Sequence, residues 1–147
     1  MINKMTLIEQ AKIFRESFGQ ELLSGFIRFG FLKLKLWNMQ LGLIEEEAAE
    51  FLEAADEFED DCHDKQKAIN VLKELSDLVF VCYQFAAAYN LDLDEAMRRV
   101  FESNMSKLGN DGKPIYRVDG KVLKGDNYKP PYLDDLVHLI EKNDNDN

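Results

Sequence analysis

The sequence predicts an all-α protein: a helical bundle of four to five helices with a small C-terminal β-hairpin, completed by oligomerisation. Three observations lead there. Helical spacing with matching cap residues recurs along most of the 147 residues. Prolines are confined to Pro114, Pro130 and Pro131, near the end of the chain. The stretch from Ile69 to Ala88 is apolar on nearly every side of a helix, through Ile69, Val71, Leu72, Leu75, Leu78, Val79, Phe80, Val81, Cys82 and Phe85. A helix apolar all round belongs inside a bundle. Four or five short helices do not easily enclose it, and association into a dimer or larger bundle solves the problem simply.

The elements follow in order. Thr6-Leu7-Ile8-Glu9 reads as a capping box. Leu7, Ala11, Phe14 and Phe18 follow at helical spacing, and Gly19 stops this first helix. Leu32 to Leu36 alternates Leu with Lys, closer to period 2 than to 3.6. It is read as helical because the segment that follows, to Glu59, is strongly helical. Asp64 caps a third helix running to about Tyr89, and Asn90 suits its left-handed end. Asp92 and Glu95 form a second box opening a fourth helix, which ends near Gly109. Pro114 to Val118, Asp119-Gly120 and Lys121 to Leu123 read as a hairpin with a type I′ turn. Tyr132 to Lys142 is expected as a short last helix, and residues 143–147 as a disordered tail. The whole chain, 1–147, reads as one domain, with 111–131 as a hairpin and loop extension.

Composition narrows the function. Twenty-eight acidic against 18 basic residues give a net charge of −10. That argues against a nucleic-acid or anionic-membrane surface, which needs a basic face. An acidic protein that handles phosphates needs a cation between the two negative partners. Cys62 and Cys82 build no disulfide framework and no zinc spacing. With no signal-peptide pattern at Met1-Ile2-Asn3-Lys4 and no apolar run long enough to span a bilayer, a reducing, cytoplasmic location is expected.

Two acidic motifs carry the chemistry: Glu46-Glu47-Ala48-Ala49-Glu50 and Glu74-Leu75-Ser76-Asp77. Glu47 and Glu50 are three apart, as are Glu74 and Asp77, so each pair shares a helix face. In so acidic a chain a two-acid pattern arises roughly five times by chance, and Glu46 to Glu50 alone reads as a solvated face. Asp77 is different. It lies among Leu72, Leu75, Leu78 and Val79, where an unpaired charge is costly. Lys73 is expected to point elsewhere on the helix. Clustered carboxylates repel, by about 4 kcal/mol per pair at 4 Å and an effective dielectric near 20. A divalent cation removes that penalty, and all-oxygen ligation suits Mg²⁺ or Mn²⁺. A di-iron site needs Glu-x-x-His on two helices, which His63 and His138 do not supply.

The order Glu-Glu-x-x-Glu, 23 residues, then Glu-x-x-Asp resembles the all-α nucleoside triphosphate pyrophosphohydrolases, the MazG-like superfamily. Asn104-Met105-Ser106-Lys107 and the tail from Asp111-Gly112-Lys113 to Pro130-Pro131 are similar to short phage and bacterial members of the phosphoribosyl-ATP pyrophosphohydrolase-like type. The resemblance implies that Glu47, Glu50, Glu74 and Asp77 hold Mg²⁺, or Mn²⁺, with Glu46 as an outer-sphere acid or water-orienting group. It implies hydrolysis between the α and β phosphates, and a helical bundle assembled as a homodimer or homotetramer. It also implies that Asn104 and Lys107 contact phosphates, with Arg98 and Arg99 as further candidates. Trp37 is the candidate for the base, and Gln40 for reading a base edge, because Trp37, Gln40, Ile44 and Glu47 fall along one ridge of a continuous helix. The expected substrates are deoxynucleoside triphosphates such as dGTP or dCTP. The alternatives are phosphoribosyl-ATP or dUTP within the superfamily. Outside it stands a non-catalytic acidic bundle whose apolar face binds a protein partner.

Overall fold

Thr6 opens the first helix as its sequence requires. Its side chain accepts from the Glu9 backbone N–H while the Glu9 carboxylate accepts from the Thr6 N–H, the reciprocal box expected. In the computed structural model, which describes residues 4–27 and 31–140, this helix is α1 (Leu7–Ser17). A two-residue strand, β1 (Phe26–Ile27), follows. Next come α2 (Phe31–Asp60), α3 (Lys65–Ala88) and α4 (Leu93–Met105). A 3-10 turn (Asp134–Leu136) and a second short strand, β2 (Leu139–Ile140), complete the described residues. The all-α architecture expected from the sequence is present.

The chain divides into two compact units. The first comprises residues 1–91 and 138–147, the second residues 92–137. In the first, α2 and α1 both pack on α3. The helix α2 runs 30 residues, about 45 Å at 1.5 Å per residue, and passes through Gly42 unbroken. The Asp64 carboxylate accepts from the Gln66 and Lys67 backbone N–H groups and starts α3. Asn90 ends it with φ +53°, the left-handed residue anticipated. Leu36, Ala88 and Tyr89 form a buried cluster, joined by Leu23, Phe26, Phe85 and Leu91. Arg15 is fully buried, and its Nε and Nη2 donate to the Glu21 carbonyl at 3.0 and 2.7 Å. The expected surplus of apolar surface on α3 is there: Ile69, Leu72, Leu75, Val79 and Phe80 lie exposed.

The second unit holds α4 and the hairpin. The Asp92 side chain accepts from the Glu95 N–H. Tyr116 bridges Val122 in antiparallel fashion, so the hairpin exists. Its turn is not type I′. Gly120 has φ +84°, but Asp119 is not left-handed, and both central residues of a type I′ turn must be. The Gly120 N–H donates to the Arg117 carbonyl and the Arg117 N–H to that of Lys121. This is a three-residue loop closed by a glycine bulge.

The short last helix expected at Tyr132–Lys142 is also absent from the described part of that segment. Three residues wind into the 3-10 turn. Leu139 and Ile140 then run extended, because Phe26 and Ile27 pair with them in parallel register. Residues 143–147, expected as a disordered tail, lie outside the described residues.

Candidate active site

Glu47 and Glu50 project from one ridge of α2, and Glu74 from the face of α3 packed against it. One carboxylate oxygen of each comes within 4.8 Å of the others. Antiparallel packing sets this register. Leu36 shares a core cluster with Ala88, and Glu50 meets Glu74; the two pairs have the same residue-number sum, as antiparallel helices require. The three oxygens differ in surroundings. Glu50 is exposed, Glu47 half-buried and Glu74 buried.

The electrostatics show strain from like charge. Burial, and after it the carboxylates of Glu50, Asp77, Glu74 and Glu46, push the Glu47 carboxyl above its usual range. Glu74 Oε1 accepts from Lys73 Nζ at 2.9 Å. Its other oxygen, Oε2, is buried without a hydrogen-bond partner among the described residues. A buried carboxylate oxygen left so is costly. Three converging carboxylates, one of which, Glu74, keeps a buried oxygen without a partner among the described residues, suit a hard divalent ion. These residues therefore fit the metal their pattern implied.

Asp77 departs from expectation. It is not one of the converging three, and its side chain is 44% exposed. Lys73, expected to point elsewhere, donates to Asp77 Oδ2 at 2.9 Å as well as to Glu74. The spacing from 73 to 77 is that of helical ion pairs, and the apolar neighbours of Asp77 masked it. Glu46 is exposed and outside the converging set, though close enough to raise Glu47.

Trp37 and Gln40 sit further along α2, on the continuous ridge the sequence implied. Trp37 lies edge-on to Phe26, Phe85 and Tyr89, with ring centroids 6.2, 5.3 and 5.7 Å away, and keeps 36% of its surface exposed. Gln40 is buried and its Oε1 lacks a partner among the described residues. On α3, Gln84 is also buried, its Nε2 donating to the Ala11 carbonyl at 3.4 Å and its Oε1 without a partner among the described residues. As a lone polar residue in an apolar run, Gln84 carried a signal that sequence reasoning did not use.

Asn104 and Lys107 belong to the second unit and bond to each other, Lys107 Nζ donating to Asn104 Oδ1 at 2.6 Å. Arg98 and Arg99 are held by acids. Arg98 pairs with Glu95 and Glu102, and Arg99 with Glu95 and Asp135.

No protein of curated function matches the chain. A family model described as phosphoribosyl-ATP pyrophosphohydrolase matches residues 33–104. The matched span includes both acidic motifs and ends at Asn104, so Lys107 and the segment 111–131 lie outside it.

Proposed function

We propose that this chain, whose residues 33–104 match a phosphoribosyl-ATP pyrophosphohydrolase family model of the MazG-like superfamily, hydrolyses deoxynucleoside triphosphates between the α and β phosphates, releasing a nucleoside monophosphate and pyrophosphate. The observation that carries this reading is the convergence of Glu47, Glu50 and Glu74, with Glu74 Oε2 buried and unsatisfied.

Glu47, Glu50 and Glu74, with Asp77 one turn along α3, would hold Mg²⁺ or Mn²⁺. Bound there, such an ion offsets charge on the phosphoryl oxygens and makes a ligated water acidic enough to attack near neutral pH. Glu46, exposed beside Glu47, orients the attacking water and takes its proton. Within the second unit, Asn104 and Lys107 form a donor pair of the kind that binds phosphate oxygens. The open edge of Trp37 receives the base, with Gln40 next on the same ridge. No Ser–His or Cys–His pair is needed. The net charge of the first unit, −9 of the total −10, suits a substrate that arrives with its cation.

Incubation with each NTP and dNTP in Mg²⁺, with product analysis, tests the reaction. Monophosphate and pyrophosphate are expected from dGTP or dCTP. Phosphoribosyl-ATP belongs in the same panel, because the description of the matching family names it. Turnover of that substrate alone would reassign the protein to the alternative reading. If no nucleotide is hydrolysed, the enzymatic reading falls.

The open face of α3 is the seat for a second copy of the chain. Leu7, Leu75, Val79, Phe80 and Tyr83 line a groove there of about 340 Å³. Light scattering is expected to show a dimer or tetramer, and Leu72→Lys is expected to yield monomer.

A further inference from the structure

Lys73 is the one side chain in the described residues that holds two acids of the second motif at once. Its Nζ lies 2.9 Å from Glu74 Oε1 and 2.9 Å from Asp77 Oδ2. Glu74 also belongs to the converging set, and its other oxygen is unsatisfied. The Lys73 side chain is 60% exposed, so it reaches the carboxylates from the solvent side and can swing back into water. We propose that Lys73 is a built-in counter-cation: its ammonium bridges Glu74 and Asp77 in the metal-free protein and must leave them when a divalent ion is bound. The inference rests on the metal reading given above and adds a residue that the acidic motifs alone do not name.

Lys73 occupies Glu74 Oε1 while Oε2 is open, so an ion bound at Oε2 would share one carboxylate with the ammonium. Two cations that close repel, and the divalent ion carries the greater charge. An exposed pair of this kind is weak, so Lys73 yields readily and tunes affinity rather than blocking it. The arrangement keeps Glu74 partly neutralised while the site awaits its ion. Once released, Lys73 places a free ammonium at the rim of the site.

The test uses the full chain and Mn²⁺ as probe. Amine acetylation is followed residue by residue by mass spectrometry, with Lys65 and Lys67 of the same helix as internal references. Saturating Mn²⁺ is expected to speed acetylation of Lys73 severalfold and leave the references unchanged. Lys73→Met is expected to tighten Mn²⁺ binding by roughly two- to fivefold, the size of one exposed ion pair. Lys73→Arg should restore wild-type affinity, and Lys67→Met, which removes the same charge elsewhere on the helix, should change it less. Unchanged acetylation of Lys73 in a protein that binds Mn²⁺ would overturn the inference and leave the metal reading intact. Equal effects of Lys73→Met and Lys67→Met would overturn it too, by reducing it to general charge. A wild-type chain that binds no Mn²⁺ would remove the metal reading, and the inference with it.

Discussion

Acids behave in opposite ways in two regions of this molecule. On α4 and the turn that follows the hairpin, Glu95, Glu102 and Asp135 are each met by a guanidinium. Hydrogen bonds from Arg98 first, then Arg99, pull the Glu95 carboxyl down to about 2, and Arg99 holds Asp135 below its usual range. Where α2 meets α3, Glu47, Glu50 and Glu74 converge, Lys73 ties Glu74 to Asp77 outside that set, and burial with neighbouring acids pushes Glu47 up. The charge count follows the same division. Residues 92–137 carry eight basic and nine acidic side chains, net −1, and the remainder carries −9. A carboxylate satisfied within the fold supports the fold. A converging set with a raised carboxyl marks the candidate site.

The sharpest way to break the comparison is to neutralise one acid in each region. Glu74→Gln is expected to lower turnover by about 100-fold or more, the scale of losing one charge-stabilising group. It should not destabilise the metal-free protein, since it relieves like-charge repulsion. Glu95→Gln is expected to do the reverse, lowering the melting temperature and sparing turnover. Steady-state rates and thermal melts on both variants decide it, and equal loss of activity in the two would erase the distinction.

The pH dependence separates the regions next. Glu95 has a folded value below its unfolded 4.5, so its stabilisation is complete above 4.5 and fades as pH falls towards about 2. Glu47 has a folded value above 4.5, so the folded state binds more protons and loses stability as pH rises through that raised value. Denaturant titrations of the metal-free protein should therefore show stability falling on both sides of mildly acidic pH. Saturating Mg²⁺ should abolish the decline on the upper side only.

The smallest effect serves as a control. Gly42 lies in the interior of α2, and a Cβ there would meet nothing within 4 Å. Gly42→Ala is expected to stabilise by up to about 1 kcal/mol, with kcat unchanged. A loss of activity in that variant would mean that flexibility of α2, and not only the placement of its acids, contributes to the reaction.

Much of the fold was legible because its signals are local. Thr6 with Glu9, Asp64, Asn90 and Asp92 each act within one turn of chain, and each does what its chemistry predicts. The acidic pairs at i and i+3 were legible for the same reason. The turn at Asp119-Gly120 was misread because the dipeptide fits two loop lengths, and the pairing of Arg117 with Lys121 selects the longer. The segment after Tyr132 was misread because its partner, Phe26–Ile27, lies more than 100 residues earlier in the chain. Lys73 was misread because apolar neighbours made Asp77 look buried, whereas that turn of α3 remains open.

Helices, caps and which acids share a face follow from local sequence, since these depend on neighbours three or four residues apart. That Glu47, Glu50 and Glu74 meet while Asp77 turns to Lys73 is an outcome of tertiary packing. That outcome depends on the register in which two long helices lock together. Register is fixed by packing summed along the whole length of both helices.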